Sequence, residues 1–318
     1  MQRYIAARLI QLIPVLFFIT LVPFSLLLLL PGDPATAILG GDQGVEVDPL
    51  LVRQLREDLA LDDPIPVQYA RWLSRAVRGD FGEELASGKP AFSLVISRVP
   101  VSLELGLIAI AISLVVGIPL GTIAAVYRGT VIDMAATMLA LVGVAMPSFW
   151  LALLLILFFG VELGWFQIIG YVPLVDDPLK NLKGMVLPAI ALSGGGAAII
   201  ARMSRSAMLE VLAQDYVRTA RAKGLTERAV VVGHAFRNAL LPVLTVVGLQ
   251  AGQVFAGAVI IESIFSLPGV GRLLIDAIRH REFFVVQCSL VMIAIGVVLT
   301  NLAVDIAYRL ADPRIKYG

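Results

Sequence analysis

Six apolar stretches, each about as long as a membrane is thick, dominate this sequence. The hydrocarbon core of a bilayer is about 30 Å thick and a helix rises about 1.5 Å per residue, so roughly 20 apolar residues are needed to cross it. Because a helix satisfies its own backbone hydrogen bonds in lipid, the pattern predicts an all-α membrane protein with six transmembrane helices. The predicted spans are 9–30, 101–126, 135–160, 187–207, 240–264 and 284–310.

The overall composition also indicates membrane insertion. Of 318 residues, 58% are hydrophobic and 15% are charged, and the mean hydropathy is +0.89. A soluble domain with this composition would expose too much apolar surface to stay dispersed. The first apolar run is too long for a secretory signal, and PGDP at 31–34 is not a small-residue cleavage site. Residues 1–30 are therefore predicted to be a transmembrane helix.

Basic residues predict the orientation of the chain. Membrane proteins keep Lys and Arg in their short cytoplasmic loops. The basic residues at both ends, in the turn after the second run and in the segment after the fourth run fall on one side, so both termini are expected to be cytoplasmic. Arg202 and Arg205, at the end of the fourth run, can extend to the headgroups. The residues that set this orientation are Arg3, Arg8, Arg128, Arg218, Arg221, Lys223, Arg228, Arg237, Arg309, Arg314 and Lys316.

The segment between the first and second runs is predicted to be a small helical cap on the extracytoplasmic side. Leu51, Leu55 and Leu59 form an apolar stripe at helical spacing, and the breaker sequence DDPIP follows at 62–66. A second helix is predicted directly after this breaker. Three regions follow from the pattern: an N-terminal helix over 1–30, a cap over 31–100 and a five-helix core over 101–318.

Polar residues and glycines inside the apolar runs have two interpretations. Interhelical hydrogen bonds and close helix packing are their ordinary roles in membranes, and Gly117 with Gly121 has the small-xxx-small spacing for such packing. Glycines can also mark an unwound helix that lines a translocation route. Both interpretations stay open at this point. The residues predicted as possible lining of a translocation path are Ser193, Gly194, Gly195, Gln250, Gln253 and Asn301.

Motifs for enzymatic chemistry are absent from the sequence. There is no GxxxxGK[ST] phosphate loop, since Gly88-Lys89 is followed by Pro90. HExxH, clustered Cys and His, GxSxG and paired intramembrane carboxylates are absent too. The central parts of the spans carry almost no charge, which disfavours a carrier driven by protons or sodium. The sequence therefore favours a pore-forming subunit that takes its energy from another protein and has no catalytic residue, metal or cofactor of its own.

A polar and basic segment, DYVRTARAKGLTERAVVVGHAFRNALLP at 215–242, lies between the fourth and fifth spans. Its Ala, Arg, Lys and Leu residues favour a helix, and Gly224 offers a helix stop. Arg218, Arg221 and Lys223 can pair with acidic residues of another protein. We interpret the segment as a docking surface for a cytoplasmic partner.

Several sequence motifs lie along the chain. The most specific is MLEVLAQDYVRTARAKGL at 208–225, followed by RNALLP at 237–242. The others are PGDP at 31–34, ELG at 104–106, ESIFSLPGVGR at 262–272 and DPRI at 312–315. In these motifs and in its six-span layout the chain resembles the permease subunits of binding-protein-dependent ABC importers, in the dipeptide and oligopeptide branch. The resemblance covers essentially the whole chain and implies the type I importer permease fold.

The resemblance also implies a role for the basic segment. In that family it is called the EAA loop, and its short coupling helices dock into a cleft of the ATP-binding subunit. The central glycine and second alanine of the motif match Gly224 and Ala220, whereas Arg218 and Thr219 replace its glutamate and first alanine. The coupling loop is expected at about 208–242. Its candidate contact residues are Asp215, Tyr216, Arg218, Thr219, Ala220, Arg221, Lys223, Gly224 and Leu225.

The expected partners follow from the same resemblance. They are two ATP-binding subunits that hold ATP and Mg, a second homologous permease and an extracytoplasmic binding protein, in a bacterial or archaeal inner membrane, with no nucleic acid. Candidate contacts with the binding protein are Glu262, Pro268, Gly269 and Arg272. Di- or oligopeptides are the expected cargo, although similar permeases move nickel complexes, glutathione or oligosaccharides. A proton- or ion-coupled carrier is the main alternative of another class, and an intramembrane enzyme is a third.

Overall fold

A computed structural model describes residues 2–29, 32–39, 48–168 and 170–311, and its long regular elements are helices. One isolated antiparallel bridge joins Glu83 and Pro90. The all-α prediction is thus confirmed, whereas Pro31 and the DPRI motif at 312–315 lie outside the described residues. In chain order the helices are α1 (Gln2–Leu29), α2 (Pro34–Ile38), α3 (Pro49–Leu59), α4 (Ile65–Val77), α5 (Ala91–Ile96), α6 (Val99–Val126), α7 (Val131–Ala145), α8 (Ser148–Leu155), α9 (Pro178–Leu212), α10 (Asp215–Ala222), α11 (Glu227–Ala229), α12 (Phe236–Ile264), α13 (Val270–His280) and α14 (Phe283–Ala311).

Membrane-length helices occupy most of the predicted spans. Among the described residues, three helical segments are long and apolar enough to cross a bilayer: Ala91–Val126, Pro178–Leu212 and Phe283–Val304. Two bent pairs bring the number to five if each pair is one span. The predicted first span lies in α1, whose apolar part Pro14–Leu29 is shorter. The count of six spans stays a prediction.

The third predicted span is sharply bent. Val131–Ala145 and Ser148–Glu162 meet at an angle of 105°. Between them Met146 has an extended backbone (φ −82°, ψ 119°) and precedes Pro147. A residue before proline is disfavoured in the helical conformation, so the chain leaves one helix and starts another here. After α8 the helix continues as a wider π-helical segment, Ile156–Glu162.

The structure divides into two compact units, and the first comprises Met1–Val101 with Pro268–Val298. The apolar interior of this unit includes α13 and the start of α14. The division of the chain into an N-terminal helix, a cap and a core stays a prediction. Gln287 links its helices: Trp72 Nε1 donates to Gln287 Oε1 at 3.2 Å, and Gln287 Nε2 donates to the Pro23 carbonyl at 2.9 Å. A buried amide with both ends bonded holds α1, α4 and α14 in one arrangement.

A loop of the first unit is held by a buried carboxylate. The two Glu282 carboxylate oxygens accept hydrogen bonds from the backbone N–H groups of Leu85 (2.7 Å) and Ala86 (3.0 Å). Near this loop Gly82 has φ +94° and faces the Phe284 ring, so a side chain there would be both strained and obstructed. The two helices predicted within the cap segment are present as α3 and α4.

The second unit comprises Ser102–Leu267 with Leu299–Gly318. Glycines allow its helices to approach closely: a Cβ added at Gly117 would lie 2.6 Å from the Ala197 carbonyl oxygen, and one at Gly121 would lie 2.9 Å from the Arg205 backbone nitrogen. Gly143 on α7 contacts Ala198 in the same way. The small-xxx-small pattern thus packs α6 against α9, as the packing interpretation predicts.

Candidate coupling surface

The basic segment forms a short helix, α10, directly after the long helix α9. The chain leaves α9 at Leu212, and Gln214 adopts an extended backbone before α10 begins. One side of α10 is apolar: Val217 and Ala220 are buried and pack with Val230. The spacing of three residues places both on one face of the helix. This small apolar cluster anchors α10 to the rest of the second unit.

A tight turn ends α10. Gly224 has φ +80°, and its N–H donates to the Arg221 carbonyl at 2.9 Å. Thr226 then caps α11 through its side-chain oxygen. Arg221 clamps the turn with a bidentate bond to Glu227, with Nη2–Oε1 at 2.7 Å and Nε–Oε2 at 3.1 Å. The turn is therefore fixed by a glycine conformation and by a two-point charged hydrogen bond.

Within this chain, only backbone conformation is expected to restrict substitutions at Gly224. An added Cβ would meet nothing within 4 Å, so only the positive φ restricts the residue. Asn tolerates this conformation and Val does not. We expect Gly224→Asn to keep ATP-driven uptake within about twofold of wild type, and Gly224→Val to lower it on the order of tenfold, because strain of about 1–3 kcal/mol displaces the turn. Uptake into proteoliposomes measures both, and equal uptake by the two variants would contradict this interpretation.

Tyr216 connects α10 to the start of α12. Asn238 Nδ2 donates to Tyr216 Oη at 2.8 Å and to the His234 carbonyl at 3.3 Å. His234 belongs to the π-helical segment Val230–Ala235, which continues α11 into α12. The polar bond and the apolar cluster together hold α10 at two places.

The opposite face of α10 and the following turn are exposed. The ion pair of Arg218 with Asp215 is long (3.5 Å) and highly exposed, and such pairs contribute little to stability. Arg218 can therefore exchange this partner for an acidic group of another protein. Of the predicted contact residues, Ala220 faces the interior instead, because it shares the buried face with Val217. We define the coupling surface as Asp215, Tyr216, Arg218, Thr219, Arg221, Lys223, Gly224 and Leu225, all exposed.

The residues predicted for a translocation path occupy different environments. The helix α9 runs unbroken through Ser193 to Gly196, so the unwound interpretation of these residues is wrong. Ser193 is buried, and its carbonyl accepts a hydrogen bond from Ser113 at 3.1 Å. Gly194 packs on Leu151, with an added Cβ at 2.9 Å. Close packing of α9 on its neighbours accounts for this part of the sequence.

The remaining residues predicted for a translocation path lie on α9, α12 and α14. Gln253 and Asn301 are exposed, and Gln250 and Gly195 are partly exposed. An added Cβ at Gly252 would lie 2.9 Å from Asn301 Oδ1, so the two helices meet through this glycine. The exposed amides of Gln253 and Asn301 therefore lie near this contact.

Of the predicted binding-protein contacts, Glu262 does not reach the surface. It is fully buried, and Ser102 Oγ donates to its Oε1 at 2.6 Å. A buried carboxylate needs such hydrogen bonds, so Glu262 joins α12 to α6 rather than facing another protein. Gly269 is also buried, whereas Pro268 and Arg272 are partly exposed.

Two polar pairs were missed by sequence reasoning. Tyr171 donates its hydroxyl hydrogen to Glu104 Oε2 at 2.9 Å; burial, and to a lesser degree this bond, raises the pKa of Tyr171 to about 12. Arg205, which was expected to extend to the headgroups, forms an ion pair with Asp133. In the sequence each pair is marked only by a charged residue at the edge of an apolar run. Such a residue predicts a polar partner side chain but does not identify it.

Comparisons with known proteins agree with this architecture. The family model "binding-protein-dependent transport system inner membrane component" matches residues 117–317, and the corresponding N-terminal model matches residues 1–105. A putative peptide transport system permease protein of Brucella suis biovar 1 (strain 1330) is 44% identical over 100% of both chains. The di/tripeptide transport system permease protein DppB of Pseudomonas aeruginosa (strain UCBPP-PA14) is 43% identical over 100% of this chain and 99% of its own.

Solved structures show the same fold at lower identity. An inward-facing structure of the MetNI methionine ABC transporter matches 69% of this chain and 96% of its own with a TM-score of 0.57 and 20% identity. A second inward-facing structure of that transporter gives a TM-score of 0.54 at 21% identity. The fold inferred from the sequence motifs is confirmed as that of an ABC importer permease. The chain belongs to the family of binding-protein-dependent transport system inner membrane components.

Proposed function

We propose that this chain is the permease subunit of an ATP-driven, binding-protein-dependent importer of di- or oligopeptides. The observation that carries the proposal is similarity over the whole chain, at 40–44% identity, to relatives named as peptide or dipeptide permeases. In this role the chain performs no chemistry. ATP and Mg belong to two ATP-binding subunits, and a second homologous permease completes the pore.

The coupling surface is proposed to seat against an ATP-binding subunit on the cytoplasmic side, with both termini on that side. Its exposed face carries Arg218 and Lys223, which suit acidic groups on the partner. Closure of the ATP-binding subunits on ATP would then displace α10, and the helices of the permease would rock as rigid bodies between inward-facing and outward-facing states. Hydrolysis resets the pore.

The peptide is proposed to enter from the extracytoplasmic side and to pass along exposed amide groups. An extracytoplasmic binding protein releases a peptide into the outward-facing pore, and the partly exposed Pro268 and Arg272 are proposed contacts for it. The exposed amides of Gln253 and Asn301 are proposed to line the path, since amide groups can hydrogen-bond a peptide backbone.

The test is reconstitution of the complete transporter in liposomes with its binding protein outside and ATP inside. Labelled dipeptide uptake should require ATP and a hydrolysis-competent ATP-binding subunit, and a cysteine at Arg218 should cross-link to that subunit. Uptake that continues without the ATP-binding subunits and collapses with an uncoupler would instead establish a proton-coupled carrier. Uptake of nickel complexes, glutathione or oligosaccharides in place of peptides would reassign the cargo within the family.

A further inference from the structure

Asp133 and Arg205 form a bidentate ion pair between the first turn of α7 and the last part of α9. Arg205 Nε donates to Asp133 Oδ1 at 2.6 Å, and Arg205 Nη2 donates to Oδ2 at 2.8 Å. The Asp133 side chain is 10% exposed and that of Arg205 is 31% exposed. Two parallel charged hydrogen bonds fix the orientation of the two groups as well as their distance. The pair therefore holds α7 and α9 in one register.

The same carboxylate also holds the turn between α6 and α7. The Gly129 N–H donates to Asp133 Oδ2 at 3.0 Å, and the Thr137 hydroxyl lies 3.4 Å from Oδ1. Gly129 has φ +78°, which fits the tight turn before α7. Asp133 thus joins three parts of the second unit: the α6–α7 turn, α7 itself and α9.

Small residues pack beside this ion pair. A cavity of about 170 Å³ lies next to it, between α6, α7 and α9. Ala140 and Ala201, which line this cavity, are also buried in an apolar cluster where α7 meets α9. Small side chains let helices approach closely, and the ion pair adds an oriented, charged contact to this packing. The small lining residues are Gly121, Ala124, Ala136, Ala140 and Ala201.

The position of the pair connects it to the coupling surface. The helix α9 continues without a break from Arg205 to Leu212, and α10 begins at Asp215. A displacement of α10 therefore reaches Arg205 through a rigid helix. On the other side, α7 leads into the bend at Met146 and on to α8.

We propose that the Asp133–Arg205 ion pair is the positioning contact that makes α7 follow α9 when the coupling surface is displaced, so that the movement reaches the bent α7–α8 segment. The inference rests on the function proposed above. Neither residue touches cargo or ATP in this role. Loss of the ion pair should lower the coupling between ATP hydrolysis and transport. It should not weaken the binding of the ATP-binding subunits or of the binding protein to this chain.

The first experiment measures peptide uptake and ATP hydrolysis by the reconstituted complex. Asp133→Asn keeps the size of the side chain and removes its charge. We expect the number of peptides moved per ATP to fall on the order of tenfold while the hydrolysis rate stays within about twofold. The exchanged pair Asp133→Arg with Arg205→Asp restores the ion pair but not the hydrogen bond from Gly129, so it should recover part of the loss. Arg202→Gln, on α9 and lining the same cavity, is the matched control and should behave as wild type.

The second experiment measures movement directly. Spin labels at Met138 on α7 and Ser206 on α9, both exposed, report the distance between the two helices. In the wild-type complex this distance should be the same with and without ATP, and in Asp133→Asn it should change between the two states. Two results would overturn the proposal. One is a normal number of peptides moved per ATP in Asp133→Asn, and the other is a distance between the labels at Met138 and Ser206 that changes with ATP in the wild-type complex. Failure of the proposed function is distinguishable, because the wild-type complex would then show no ATP-driven uptake at all.

Discussion

Replacing Val217 by Asp is expected to reduce ATP-driven uptake by more than about 100-fold while the chain still inserts into the membrane. Val217 is fully buried in the cluster that anchors α10. A carboxylate without hydrogen-bond partners in that cluster costs several kcal/mol, so α10 releases from the second unit to expose it. The coupling surface then has no fixed position from which to transmit force. Uptake by the reconstituted complex and retention of the chain in the membrane fraction are the two measurements.

A matched control separates the added charge from the loss of anchoring. Gln214→Asp introduces the same carboxylate three residues earlier, at the exposed residue that precedes α10. Asp is favoured at a helix N-cap, where it accepts hydrogen bonds from free backbone N–H groups. Uptake by this variant should match wild type. Normal uptake by Val217→Asp would show that the position of α10 is irrelevant to transport.

The second large effect is expected from a single methyl group at Gly121. In Gly121→Ala the new Cβ would collide with the Ala201 carbonyl and lie 2.9 Å from the Arg205 backbone nitrogen. Backbone atoms cannot rotate aside as a side chain can, so α6 must move away from α9. We expect a loss of about 1–3 kcal/mol in the free energy of unfolding and a Tm lower by roughly 2–10 °C. Thermal unfolding in nanodiscs measures the change.

Gly106→Ala is the matched control on the same helix. There an added Cβ would meet only side-chain atoms, Val254 at 3.4 Å and the Phe255 ring at 3.8 Å, and both can adjust slightly. Since Ala is favoured over Gly in a helix by about 0.5–1 kcal/mol, this variant should be neutral or slightly stabilised. If both variants unfold at the same temperature, close approach of α6 and α9 does not determine stability.

The sequence predicts well those features that depend on local chemistry. Apolar runs of membrane length predict the long helices, because hydrocarbon leaves the backbone few alternatives. The helix from Asp215 and its stop at Gly224 follow from residue preference and from a glycine that can adopt a positive φ. Family motifs then predict the fold, which comparison with known proteins confirms.

Features that depend on contacts between distant segments were not predictable. Pro147 marks a break in the third run, but the angle of 105° between the two helices does not follow from the sequence. Asp133 and Arg205 are 72 residues apart, and only the placement of α7 on α9 brings them together. The sequence from Ser193 to Gly196 is compatible with close packing and with an unwound helix. In the structure this segment is helical and packs against neighbouring helices. Glu262 was predicted as a surface contact, whereas the structure buries it beside Ser102, which lies in another helix.

The amide of Gln287 has a consequence for the biosynthesis of the chain. It donates to the Pro23 carbonyl and accepts from Trp72, so a residue of α14 completes a structure begun by α1 and α4. During translation α1 therefore lacks these contacts until Gln287, which is 264 residues after Pro23, has emerged from the ribosome. We infer that maturation of the first unit is a late, post-insertion event, and that truncated nascent chains expose its unfinished interior to quality-control proteases.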